Sequence, residues 1–418
     1  MNNIPGRIAI FMALGTLETV SSLRDSIKLM AEHGYMVDVY LPGNPVYPKP
    51  QFESLMISVF ADHSAIFSQG SIALPKWTCG RGLKLYSWIV HKFYGHTWRN
   101  VIFKRRLKER HAQTKYTCLI GIDQEAISDT AEYAKYLKVP FVYWSLELRF
   151  ADQCTTEQQR HLKEKDIYYS RLAAFSIVQD QWRKKALVTE NRLDEHNVMI
   201  VPNAPMGKAL HNKKNFMREK WSIPPEKKII LCAGSLAPWM MSRELVEAAN
   251  QWPDEYLLVM HSRRRLDKWA SKYEKEIVRL ADHKKVVFSF DPLAADEYHQ
   301  MLCSADVGIA FYSAESQHSP SGIDMNMKIM GLSSGKISDY LQHGLPIVVN
   351  EMIGPKDLVS DYQCGVCVED AKDIAHALSS ICESYIYFSD NACKCFNERL
   401  NLSLYFNKVI DEIDGLRI

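Results

Sequence analysis

Apolar residues run almost unbroken from Arg7 to Ala13 (RIAIFMA), the pattern of a strand buried on both faces of a parallel sheet. A loop with Gly15 and Thr16 follows. Over residues 21–33, Leu23, Ile27, Leu29 and Met30 then fall largely on one helical face, Gly34 closes the helix, and residues 36–41 predict a second strand. Strand, helix and strand in about 35 residues make a βαβ unit, because parallel strands need a crossover. The pattern recurs. Strands are predicted at 116–122, 140–144, 173–178 and 198–201, with helices at 126–137 and 182–188 between them.

Residues 206–215 (MGKALHNKKN) are polar, basic and weakly patterned, which places a linker there. A second alternation follows, with strands at 228–233, 256–260, 286–289, 307–311 and 346–349 and helices at 243–251 and 336–343. The expected architecture is therefore α/β, with two doubly wound, Rossmann-like domains over residues 1–205 and 206–395. A last helical segment has no strand after it. Residues 396–418 are expected to return and pack on the first domain.

With 418 residues, the chain is long enough for two cores of ordinary size. Its hydrophobic fraction of 47% and charged fraction of 24% are those of a globular protein, and the net charge of +2 gives no global preference for nucleic acid. The short run 8–14 lacks a clean cleavage site and reads as the first strand rather than a signal peptide. No apolar stretch is long enough to span a bilayer. The ten cysteines are scattered, several in apolar runs, which fits reduced packing residues in a cytoplasmic protein. Cys364 and Cys367 have CxxC spacing, but Cys393 and Cys395 do not complete a zinc-ribbon pattern, so no metal is expected.

One stretch departs from this even balance. Residues 76–115 hold eleven Lys or Arg against a single acid, Glu109, interleaved with Trp77, Tyr86, Trp88, Phe93, Tyr94, Trp98 and Phe103. A basic surface with aromatic anchors suits an anionic membrane face, where each cation adds about 1 kcal/mol, and would place the protein peripherally on the inner membrane. A solvated face over an ordinary core, or a site for an anionic acceptor, has the same composition.

The segment most informative about chemistry is 331–350 (GLSSGKISDYLQHGLPIVVN). Ser333, Ser334 and Gly335 precede a short amphipathic helix that Gly344 and Pro346 end. Small residues at a helix start leave backbone N–H groups open, and these with the helix dipole favour phosphate. Lys336 adds a full charge where it opposes the dipole, an arrangement that makes sense with an anion between them. Asp339, one turn on, is placed to accept hydrogen bonds from ribose hydroxyls.

This pattern, SGK-I-x-D-Y-L-x-x-G-x-P-I-V after a strand like 305–310, resembles the donor site of GT-B glycosyltransferases. The likeness is to the large group 1 (family 4-like) set of bacterial polysaccharide and lipid-glycan enzymes. The HGY-x-V-x-V second strand, Val201-Pro-Asn-Ala204 and Gly234-Ser-Leu236 match in order along nearly the whole chain. The resemblance implies two Rossmann-like domains facing each other across a cleft, and transfer of a sugar from a nucleotide-diphosphate sugar to a glycan, lipid-linked or other hydroxyl acceptor. It implies no metal, cofactor or nucleic acid. Asp339 takes the place of the ribose-binding carboxylate. The partner acid eight positions earlier is replaced by Gly331, and the Arg and Lys of the G-R-L…K diphosphate clamp are missing from Gly234-Ser235-Leu236…Met240. Lys336, the amides of 333–335 and Arg243 are the candidates to hold the diphosphate instead.

No Asp-x-Asp occurs in the chain, so the metal-dependent sugar-transfer architecture has no support. An inverting enzyme needs a base to take the acceptor proton, and Asp123 and Glu147 stand at the expected carboxyl ends of strands. Gly15 and Thr16, in the first strand–helix loop, are candidates to approach acceptor or phosphate. The competing functions are a nucleotide-sugar epimerase of the same fold and an inert binding scaffold. A dinucleotide-dependent dehydrogenase is disfavoured, because no G-x-G-x-x-G follows the first strand.

Overall fold

The computed structural model describes residues 6–13, 17, 20–41, 50–60, 96–263, 266 and 270–417, with side chains from Phe103 onward in the helix His96–Gln113. The chain divides into two compact units, Met1–Val201 with Tyr405–Ile418, and Pro202–Leu404.

In the first unit, β1 (Arg7–Met12), β2 (Met36–Tyr40), β3 (Ile57–Phe60), β4 (Tyr116–Ile122), β5 (Phe141–Trp144), β6 (Ser176–Val178) and β7 (Val198–Ile200) form one parallel sheet. Their order is β3-β2-β1-β4-β5-β6-β7. The central strands β1 and β4 are buried at every position, as unbroken apolar runs require when helices cover both faces. β3 was not anticipated, because Ser58 interrupts the short apolar run of Ile57-Ser-Val-Phe60 and all four positions are only half-buried.

Asp38 on β2 is fully buried, and its charge is answered from three sides. Arg7 donates to both carboxylate oxygens at 2.9 and 3.0 Å, Arg110 donates from the helix His96–Gln113, and the Tyr116 hydroxyl donates at 2.6 Å. Arg110 thus turns inward and is half-buried. Phe103 and Leu107 on the same helix are buried, whereas Arg105, Lys108 and Glu109 face solvent. The described end of the basic stretch is therefore an amphipathic cover for the sheet. Residues 76–95, which hold four of the eleven cations and five of the seven aromatic residues behind the membrane-surface reading, lie outside the described residues, as do Gly15 and Thr16. No described helix is long and apolar enough to cross a membrane.

The tail of the chain is part of this unit. Phe406 stacks on Trp144 at 6.0 Å, and the Tyr35 hydroxyl donates to Asp414 while accepting from Arg417 at 2.8 Å. The single helix expected from 396 onward is two pieces. A π-helical turn at Phe396–Leu400 ends at Asn401, whose extended ψ of 117° breaks the run before Ser403–Gly415.

In the second unit, β8 (Lys228–Ala233), β9 (Tyr256–His261), β10 (Val286–Ser289), β11 (Val307–Ala310), β12 (Ile347–Asn350) and β13 (Gly365–Val368) form a parallel sheet in the order β10-β9-β8-β11-β12-β13. Strand order reverses between β8 and β11, so the crevice beyond their carboxyl ends is where such a sheet binds ligands. The helix Gly335–Gln342 buries Ile337, Ser338, Tyr340 and Leu341 against this region. Tyr340 packs its ring against Gly308 of β11, where an added Cβ would come within 2.3 Å of the ring. Its hydroxyl accepts from the Ala233 N–H at 2.8 Å, fixing the helix to the end of β8.

Candidate functional site

The side chains of a first helical turn lean back toward the helix N-terminus. Lys336 accordingly reaches over the carboxyl end of β8. A Cβ built on Gly234 would lie 3.2 Å from the Lys336 Nζ and 2.9 Å from the Met240 Cε, so glycine at 234 lets backbone and ammonium approach without displacing either side chain. Gly234 also holds φ +150°, and both it and Ser235 are open to solvent. The Lys336 ammonium donates to the Met240 Sδ at 3.1 Å and sits 4.8 Å from the centre of the Tyr312 ring. A thioether and an aromatic face solvate a cation poorly. Desolvation therefore pulls the Lys336 pKa down to about 8, with a smaller opposing influence from the Cys232 thiol.

The start of the same helix is left open. Ser334 occupies the N-cap position, yet its side chain caps no N–H. Its Oγ pairs instead with the Tyr312 hydroxyl at 2.5 Å. Helix-start N–H groups without a capping oxygen remain available to an anion. Ser333 turns inward, its hydroxyl donating to the Met330 carbonyl at 2.6 Å. Asn203 braces the turn with three hydrogen bonds. Its N–H and Nδ2 donate to the carbonyls of Leu332 and Ser333, and its carbonyl accepts from Ser338. Two motifs separate in sequence thus form one structure.

Gly331, where the resemblance places an acid, has φ +55° and donates its N–H to Ile353. A Cβ on Gly354 would lie only 2.4 Å from the Gly331 carbonyl oxygen. Backbone packs on backbone here, and the left-handed conformation favours glycine over glutamate.

Asp339 lies one turn beyond Lys336 and accepts from the Tyr298 hydroxyl at 3.2 Å. The guanidinium of Arg263, just after β9, stands 4.9 Å over the Tyr298 ring. Burial and the Asp339 charge raise the Tyr298 pKa, so the phenol stays a donor to the carboxylate. Arg243 is engaged elsewhere on its helix face, with Glu276 at 2.6 Å and Glu247 at 3.6 Å.

In the first unit Asp123 and Glu147 stand together beyond β4 and β5. The Asp123 Oδ1 accepts from the N–H groups of Leu146 at 2.6 Å and Glu147 at 2.9 Å. Asp123 adopts φ +59°, uncommon for a non-glycine residue, as it opens the helix Asp123–Leu137. Burial raises its pKa well above the ordinary carboxylate range, and the Glu147 charge adds to this, while the two N–H groups pull the other way. Beneath them Arg183 is buried and donates to the Leu146 carbonyl at 2.7 Å.

Sequence reasoning did not single out Tyr312, Tyr298, Arg263 or Trp239. Trp239 is 41% exposed and lies parallel to Tyr312 at 6.4 Å. One signal was available: Tyr312 follows β11 at the carboxyl end of the sheet, where ligands bind.

Residues 283–413 match the family model described as the C-terminal domain of glucosyltransferase 3-like proteins. No curated protein matches the chain. Solved structures resemble it over nearly its full length. Sucrose-phosphate synthase from Thermosynechococcus elongatus superposes with a TM-score of 0.65 at 15% identity, covering 99% of both chains. Anabaena HepE, in complex with UDP and glucose, gives a TM-score of 0.67 at 13% identity over 98% of this chain and 100% of its own. WaaG, a glycosyltransferase involved in lipopolysaccharide biosynthesis, gives 0.62 at 14% over 98% and 100%.

Proposed function

With the fold of GT-B glycosyltransferases and a glucosyltransferase 3-like C-terminal stretch as premises, we propose that this chain transfers a sugar from a nucleotide-diphosphate sugar to a hydroxyl acceptor. UDP-sugars are the first donors to test, because HepE is seen with UDP, UDP-glucose and glucose. One observation supports the reading above the rest. A desolvated ammonium, an uncapped helix start and an exposed glycine meet at the point where strand order reverses.

In this reading the diphosphate lies between Lys336 and the first-turn N–H groups, which stabilise the negative charge left on the departing diphosphate as its bond to the sugar breaks. Asp339 takes ribose hydroxyls, held in place by Tyr298. Trp239 offers a stacking face for a ring of the donor. Asp123, its affinity for protons raised, is the proposed acceptor of the nucleophile's proton, and Glu147 shapes its charge. The acceptor proposed is a glycan or lipid-linked hydroxyl.

A thermal-shift screen with UDP-, GDP-, ADP- and CMP-sugars tests donor binding. A ligand at about 100 times its dissociation constant stabilises by roughly 2.7 kcal/mol. A response that survives in both Lys336→Ala and Asp339→Ala, with the fold intact, removes this site assignment.

A further inference from the structure

Two helices of the second unit bring three metal-ligating side chains together at the end of Gly335–Gln342 opposite Lys336. His299 and Cys303 are four residues apart on the helix Ala295–Ser304 and share a face. His343 directly follows Gly335–Gln342. One ligating atom from each lies within 4.8 Å of the other two. Cys303 is buried and both imidazoles are half-buried, so the cluster is sheltered yet reachable from solvent.

The hydrogen bonds settle how the rings are turned. The His343 Nδ1 is 2.7 Å from the Asp339 carbonyl oxygen, which can only accept, so Nδ1 carries the hydrogen. In the neutral ring the lone pair is then on Nε2, which faces the His299 Nδ1 at 2.8 Å. The His299 Nε2 stands 3.6 Å from the Cys303 Sγ. An imidazole whose far nitrogen is fixed on a backbone carbonyl is the arrangement that orients ligating histidines in metal sites.

We propose that His299, Cys303 and His343 form a binding site for a thiophilic cation, with Zn²⁺ the best fit. Two nitrogens and one sulfur favour zinc over magnesium or manganese, which prefer oxygen. Bonds of about 2.0–2.1 Å to nitrogen and 2.3 Å to sulfur place tetrahedral ligands roughly 3.4–3.6 Å apart. The present spacings reach this through small side-chain rotations, and water supplies the fourth ligand. Binding breaks the Cys303 S–H bond and releases that proton to solvent, while His299 keeps its one ring proton on the nitrogen that does not ligate. The bound ion ties the helix carrying Tyr298 to the helix carrying Asp339. The competing account is a self-satisfied chain of hydrogen bonds from the Cys303 thiol through both rings to the Asp339 carbonyl.

The test is a titration of the full-length chain with Co²⁺ under reducing conditions, followed by displacement with Zn²⁺. A near-ultraviolet thiolate-to-cobalt band that saturates at one equivalent, is bleached by Zn²⁺ and is missing from Cys303→Ser is the expected result. No band in the wild type, or an undiminished band in Cys303→Ser, overturns the proposal, the latter because another cysteine would be the ligand. His343→Asn is expected to bind Zn²⁺ at least tenfold more weakly in competition with a chromophoric chelator. Equal affinity in a variant whose circular dichroism and metal-free unfolding midpoint match the wild type overturns the proposal equally.

Discussion

If Lys336 grips a diphosphate, donor affinity must depend on pH in a way that one substitution removes. In the ligand-free protein desolvation holds the amine near pKa 8. A diphosphate beside it restores the charged form and raises that pKa, so binding takes up a proton wherever the free amine is partly deprotonated. The charged fraction of the free protein falls from about nine-tenths at pH 7 to about one-tenth at pH 9, and affinity falls about tenfold, or about 1.4 kcal/mol. The nucleotide's own phosphate, with a second pKa of about 6, changes little in that window. Lys336→Met keeps the contacts with Met240 and Tyr312 but loses the charge. Affinity at pH 7 should drop roughly 10- to 100-fold, the worth of a charged hydrogen bond, and become flat with pH. Isothermal titration with UDP at pH 7, 8 and 9, in buffers of different ionisation enthalpy, reads both affinity and proton uptake. An equal pH response in wild type and variant would refute the reasoning. The same shift has a stability sign. Between pH 8 and 10.5 the unfolded chain binds more protons than the ligand-free native state, so stability rises with pH there. Lys336→Met should remove that rise and leave the ligand-free protein more stable at pH 7, the pattern of a site that gives up stability for binding.

Three further outcomes follow from the geometry. Gly234→Ala places a Cβ 2.9 Å from the Met240 Cε and 3.2 Å from the Lys336 Nζ, so nucleotide affinity should fall about tenfold while circular dichroism stays native; unchanged affinity would detach Gly234 from the site. Asp123→Asn keeps a residue tolerant of φ +59° but removes the base, so transfer should slow by roughly 10²- to 10⁴-fold and lose the rise in rate as pH passes the raised carboxyl pKa. A full rate at every pH excludes Asp123 as the base. Asp38→Ala leaves the buried Arg7 without its partner, and chemical denaturation should show a loss of about 3–5 kcal/mol; a loss below about 1 kcal/mol would mean that water reaches Arg7.

Much of the fold was legible because burial on both faces of a parallel sheet leaves a mark in the chain. Strands such as β1, β4 and β8 are runs of apolar residues that few other structures need. β3 and β13 escaped notice because Ser58 interrupts the first, and Gly365-Val-Cys-Val368 was read for its cysteine spacing rather than as an apolar run. The basic stretch was ambiguous for a related reason. Composition cannot tell an outward cation from Arg110, which turns inward to a buried carboxylate 72 residues away.

The chain by itself determined the two alternating α/β halves and the small-residue turn ahead of Lys336, because periodicity and helix starts are written in neighbouring residues. Only the tertiary structure decided what surrounds that lysine. Gly234 and Met240 reach it from beyond β8 and Tyr312 from beyond β11, and Asp123 receives the Glu147 N–H from 24 residues away. A desolvated charge is a property of everything packed around it, and no local stretch of sequence contains that packing.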